Sequence, residues 1–166
     1  MLLVIQLFIS SFLNAQNQNA IWCFGDSSGI DFSNINNPIP IISSMDGRGS
    51  CVSISDSNAQ LLFYANTAGF PPGYATLVWN RNNQIMQNGD SLVGEAWYNE
   101  LLIIRNPAQN DEYYLFSVGV AAQYGYYYSI IDLNGGLGAI TLKNIQLDSF
   151  PAVDCVTAIK HGNGRD

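Results

Sequence analysis

Cys51-Val52-Ser53-Ile54-Ser55 opens a short apolar strand, and Cys155-Val156-Thr157-Ala158-Ile159 opens the same pattern again. Near the midpoint, Leu101-Leu102-Ile103-Ile104-Arg105 begins another copy. The spacing defines a period of roughly 50 residues, in the range of four-stranded propeller blades. Each copy carries turn chemistry at matching places. Asp56-Ser57-Asn58-Ala59 follows the first strand, and Leu61-Leu62-Phe63-Tyr64 returns from it as the second arm of a hairpin. Such a unit cannot bury both faces alone and needs neighbours stacked against it.

The remaining strands follow from alternation and turn residues. The first copy continues through a glycine–proline loop over 66–73, a strand over 76–79, an Asn-rich turn and a short edge strand over 84–86. The second copy predicts strands over 101–104, 112–118, 125–132 and 141–147, with the glycine-rich turn 134–138 before the last. Upstream, Ile21-Trp22-Cys23-Phe24 reads as a strand and alternation resumes at 30–32. Pro38 and Pro40 mark 36–40 as a loop, since proline is barred from a central strand. Nothing after residue 15 sustains a helical period over three turns. The expected fold is all-β: a partial β-propeller of about two four-stranded blades, 49–100 and 101–151, with the start of a third from about 152. A strand region over 16–48 precedes them, and the whole forms an incomplete propeller domain spanning 16–166.

The first twelve residues, MLLVIQLFISSF, are almost wholly apolar, and Ala15 supplies a small residue before a polar run. That is the pattern of a secretory signal over 1–15, too short to span a membrane as a helix. It departs from the usual pattern in having no Lys or Arg at its start. No cysteine follows at a lipobox spacing, which argues against a lipid anchor.

Charged residues make up only 11% of the chain and the net charge is −7. Average domains carry about 25% charged residues, so the surface must be built from Asn, Gln, Ser and Gly. The acidity argues against nucleic acid, whose phosphates need clustered Lys and Arg, and against an anionic membrane surface. Three cysteines do not make a disulfide framework. Cys51 and Cys155, at equivalent repeat positions, read as small buried hydrophobes. A Cys23–Cys51 bridge is the alternative in an oxidising compartment.

Several segments resemble the N-terminal propeller of large secreted proteins from gliding Bacteroidetes. They are the Trp22–Phe32 opening, 51–58 with Leu62-Phe63-Tyr64, 78–89 (VWNRNNQIMQNG), the 134–138 turn and 157–166. Proteins of that group typically end in a type IX secretion sorting domain, often after PKD or immunoglobulin-like repeats. The resemblance implies a secreted or surface-displayed protein in which further blades of the same polypeptide follow. It carries no established catalytic residues.

No catalytic constellation emerges. His161, the only histidine, falls in a turn with no nucleophile elbow nearby. Asn134-Gly135-Gly136-Leu137-Gly138 lacks the Lys-Ser/Thr of a phosphate loop. Asp26, Asp31, Asp56, Asn58, Asp111 and Asp132 sit where turn capping explains them without a metal. The glutamates Glu95, Glu100 and Glu112 fit no distinctive motif. No cofactor and no metal site is expected.

Aromatic residues are 12% of the chain, including nine tyrosines. Exposed rings stack on sugars or anchor proteins, so Trp97, Tyr98, Tyr124, Tyr126 and Tyr128 are the candidate contact residues. The expected function is a secreted or cell-surface binding or structural module, presenting loops to a glycan or a cell-envelope protein without catalysis. The alternative is a carbohydrate-active propeller enzyme whose acids lie partly in other blades. A chain that stopped at two blades would have to close by oligomerising, because sheet edges and apolar faces would otherwise stay open.

Overall fold

The computed structural model describes residues 17–47, 49–68, 75–95, 97–121, 123–152 and 155–159. The segment expected to be a secretory signal, most of the glycine–proline loop and the turn expected around His161 lie outside the described residues. What is described is all-β apart from one 3-10 turn at Asn17–Asn19, and it forms three antiparallel sheets.

The first sheet joins β1 (Ile21–Phe24), β2 (Ser28–Asp31) and β3 (Ile39–Ile42) in that order. β3 contains Pro40, so the loop expected over 36–40 gives way to a strand at Ile39, two residues sooner than the prolines suggested. Pro40 is tolerated because β3 pairs on one side only. The second sheet joins β4 (Cys51–Ser55), β5 (Leu61–Ala68) and β6 (Ala75–Asn80). The edge strand expected over 84–86 is reduced to single bridges, Trp79 to Ile85 and Thr76 to Leu92. Asn83, Asn88 and Ser91 all take positive φ there, so the segment turns too often to lie flat as a strand. The third sheet is a four-stranded meander of β7 (Leu101–Arg105), β8 (Glu112–Gly119), β9 (Gly125–Asp132) and β10 (Ala139–Asp148). The 155–159 segment forms no strand among the described residues, and Cys155 is exposed rather than buried. Without a sheet around it, that cysteine has nothing to pack into.

The sheets stack through alternate side chains. Cys51, Tyr64 and Trp79 on one face of the second sheet pack with Ile21, Cys23 and Ile41 of the first. Val52, Ile54, Phe63, Ala65 and Val78 on its other face pack with Leu101, Tyr113, Leu115 and Ile131 of the third. The Phe63 and Tyr113 rings meet edge to face across this second interface, with centroids 5.3 Å apart. The leading strands of the three sheets lie side by side, β1 against β4 and β4 against β7. Ser53 Oγ ties the first pair, donating to the Ile21 carbonyl at 2.7 Å and accepting from the Cys23 amide at 3.3 Å. Ser50 Oγ ties the second, accepting from the Leu101 amide at 3.2 Å.

Candidate functional site

Two loops at one end of the third sheet carry exposed aromatic side chains and are tied to each other by one buried carboxylate. One loop leads from the second sheet into β7 and carries Trp97 and Tyr98, the latter 71% exposed. The other joins β8 to β9 and carries Tyr124, half exposed. Glu95 holds the two together. Its side chain is buried, and its carboxylate accepts backbone N–H groups from Val120 at 3.2 Å, Ala121 at 2.7 Å and Gln123 at 3.2 Å. Charge-assisted bonds of this kind are about twice as strong as neutral ones. Glu100 Oε2 in turn accepts the Glu95 amide at 3.1 Å, so the clamp is itself supported from beneath.

Glycine shapes the second loop. Gly119 and Gly125 pair with each other at its base. A Cβ on Gly119 would strike the Gln123 carbonyl, and one on Gly125 the Asp148 carbonyl. Gly125 also takes φ +119°, open to glycine but strained for other residues. The Tyr124 carbonyl accepts from the Tyr127 hydroxyl and from Gln146 Nε2, both at 3.1 Å. The backbone is therefore fixed while the Tyr124 ring faces out.

The five aromatic candidates fall into two groups. Trp97, Tyr98 and Tyr124 are exposed on the clamped loops. Tyr126 and Tyr128 lie in β9, half-buried on the outer face of the third sheet. Tyr128 packs there against Tyr114 and Phe116, at centroid distances of 5.9 and 6.4 Å. Sequence reasoning did not find the Glu95 clamp. Its signal was one acid among the few charges of the connection between β6 and β7, with no local pattern to mark a contact 25 residues away. Also unmarked were Trp22, Phe24 and Ile42, which are exposed on the first sheet.

Several of the acids hold turn backbone. Asp31 Oδ1 accepts the Ser33 amide, Asp56 Oδ1 the amides of Asn58 and Gln60, and Asp132 Oδ1 the Asn134 amide. Glu112 Oε1 accepts from Asn106 Nδ2. Among the described residues no group of three or more His, Cys, Asp or Glu could hold a metal ion. All three cysteines are free thiols. Burial pushes the Cys23 thiol up to about 11, with Cys51 adding to the effect. Burial also raises Cys51, partly offset by a hydrogen bond from the Gly25 backbone. Among the described residues no helix is long and apolar enough to cross a membrane.

Comparison with protein-family models, with curated proteins and with solved structures finds no match for this chain.

Proposed function

We propose that this chain is part of a secreted or surface-displayed β-propeller that binds a glycan or a cell-envelope protein by contact, without catalysis. Support for the propeller comes from the roughly 50-residue period, the face-to-face stacking of the sheets and the adjacency of their leading strands. Support for secretion comes from the apolar opening segment and from the resemblance described above.

The observation that carries the binding reading is the Glu95 clamp. A carboxylate buried to order two loops pre-pays the entropy that a ligand would otherwise have to supply. The side chains those loops display, Trp97, Tyr98 and Tyr124, are flat, amphipathic and exposed. Rings of this kind offer large contact area at low conformational cost. A sugar face or an extended polypeptide suits such a surface, and an anionic ligand does not, given the net charge of −7.

The test is a glycan array together with capture of solubilised envelope proteins. Binding that falls at least about tenfold in Trp97→Ala and in Tyr124→Ala, with unchanged thermal unfolding, supports the reading. No retained ligand on either platform, or full binding by the Trp97→Ala/Tyr124→Ala double variant, removes it.

A further inference from the structure

Two of the three cysteines meet at the seam between the first and second sheets. Alternation puts Ile21 and Cys23 on the face of β1 that meets the second sheet. It puts Cys51 and Ser53 together on one face of β4, the face that meets the first sheet. Ser53 fixes how the two strands are offset. Its hydroxyl sits between the Ile21 carbonyl at 2.7 Å and the Cys23 amide at 3.3 Å. Cys51 lies one same-face step along β4 from Ser53, and its sulfur accepts a hydrogen bond from the Gly25 backbone. As β4 steps from Ser53 to Cys51, its contacts on the facing chain step from 21–23 to 23–25. Cys23 lies where those two contacts adjoin, so both thiols occupy one patch of the seam. Both pack in the cluster built around Met45 and Tyr64, and a charge on Cys51 acts on Cys23 across it. Cys155 is exposed and belongs to neither core cluster.

The two seam thiols are not equivalent. Cys23 is 4% exposed. Cys51 is half-buried and keeps an N–H donor on its sulfur. A donor on sulfur favours the thiolate, and the thiolate is the attacking species in disulfide exchange. Cys51 is therefore the thiol that an oxidant reaches first, and Cys23 is the neighbour that completes the reaction.

We propose that Cys23 and Cys51 are a disulfide-forming pair that staples the first sheet to the second. The free thiols described above are its reduced form. The oxidant is a disulfide, either of a small thiol such as glutathione or of an oxidoreductase. Cys51 gives up its proton and its thiolate attacks one sulfur of that disulfide, forming a mixed disulfide and expelling one thiolate. Cys23 gives up its proton, attacks the Cys51 sulfur and expels the mixed partner as the second thiolate. The protein loses two electrons and two protons, and the oxidant leaves as two thiols. The bridge closes the segment 23–51, which carries β2 and β3, so it removes freedom chiefly from the unfolded chain. The inference rests on the seam geometry and is independent of the ligand reading above.

The test is the whole chain, purified under reductant, exposed without denaturant to oxidised glutathione and then alkylated in denaturant. One thiol, Cys155, takes up the alkylating agent where the reduced protein takes it up on all three. Trypsin cuts after Arg48 and Arg81, so the digest without reductant contains the peptide ending at Arg48 linked to the peptide 49–81. The oxidised protein unfolds at a temperature higher by at least about 5 °C. Cys51→Ser and Cys23→Ser each unfold at one temperature with or without the oxidant, and Cys51→Ser, at the half-buried position, serves alone should Cys23→Ser fail to fold. Three alkylated thiols after exposure, a glutathione adduct that persists on Cys51, a linked peptide containing Cys155, or a bridge that forms only in denaturant overturns the proposal.

Discussion

The second and third sheets share a register but not a fate. In the second, Phe63, Tyr64, Ala65 and Val78 are wholly shielded because a sheet covers either face. In the third, Leu115 and Ile131 are shielded on one side, while Leu102, Ile104, Tyr114, Phe116 and Tyr128 remain half-open on the other, forward face. Local pattern cannot explain the difference, since both faces of both sheets are apolar. Neighbours explain it: a strand that is apolar on both faces is coded for burial on both. Equivalent residues in the two sheets therefore isolate what a covering layer contributes.

The largest contrast belongs to two aromatic residues at the same register position. Phe63→Ala removes a ring sealed between sheets and packed on Tyr113, and should cost about 3–5 kcal/mol. Tyr114→Ala, at the equivalent place on the open face, should cost about 1 kcal/mol or less in the monomer. Urea midpoints for the two variants at low protein concentration measure the gap. Equal costs would mean that the forward face is already covered and that the comparison is void.

Much of this arrangement was legible in the sequence. The hairpin at 51–64 and the four strands of the third sheet emerge nearly where alternation and turn residues placed them, because half-buried strands write a period of two. The missing fourth strand of the second sheet was not legible. Asn83 and Asn88 suit either a turn or a short strand end, and only the bridges to Trp79 and Thr76 decide it. β3 was hidden by Pro40, since a single sequence does not say which strand is an edge. The aromatic candidates were found by type, but type could not separate Tyr124, held out on a loop, from Tyr128, laid against Tyr114 and Phe116. Glu95 was invisible as a clamp because its partners are backbone groups, which every residue carries.

Next in size is an alkaline effect confined to the covered side. Cys23 lies in the interface between the first and second sheets, and its thiol is raised from 9.0 to about 11. Between those values the unfolded chain holds fewer protons than the folded one, so stability falls as pH rises. The loss attributable to Cys23 is about 2–3 kcal/mol by pH 11. Half-buried Cys51 and buried Tyr64 and Tyr113, also raised, act in the same direction. Denaturation of wild type and Cys23→Ala at stepped pH isolates the contribution: the variant should lose less stability across this window. Parallel curves would show that the thiolate is tolerated in the fold.

The clamp gives a smaller effect with a local signature. Glu95→Gln replaces a carboxylate oxygen with an N–H₂ facing backbone donors, at a cost of about 1–3 kcal/mol. Amide exchange at Val120, Ala121 and Gln123 should accelerate, while β7 and β8 amides keep their protection. Unchanged exchange at those three amides would mean that the glycines, not Glu95, hold the loop.

The finest test uses one residue type, one change and two sheets. Ile54 and Ile104 occupy equivalent positions, opposite Phe63 and Tyr114. Ile54 is buried in the interface with the third sheet, and Ile104 is half-open on the forward face. Ile54→Val deletes one methylene from a packed interior and should cost about 1 kcal/mol. Ile104→Val deletes the same group where no sheet lies above it, and should cost below about 0.5 kcal/mol in dilute protein. Urea midpoints of the two variants measure the difference, and equal costs would show that the two sheets differ for a reason other than their neighbours.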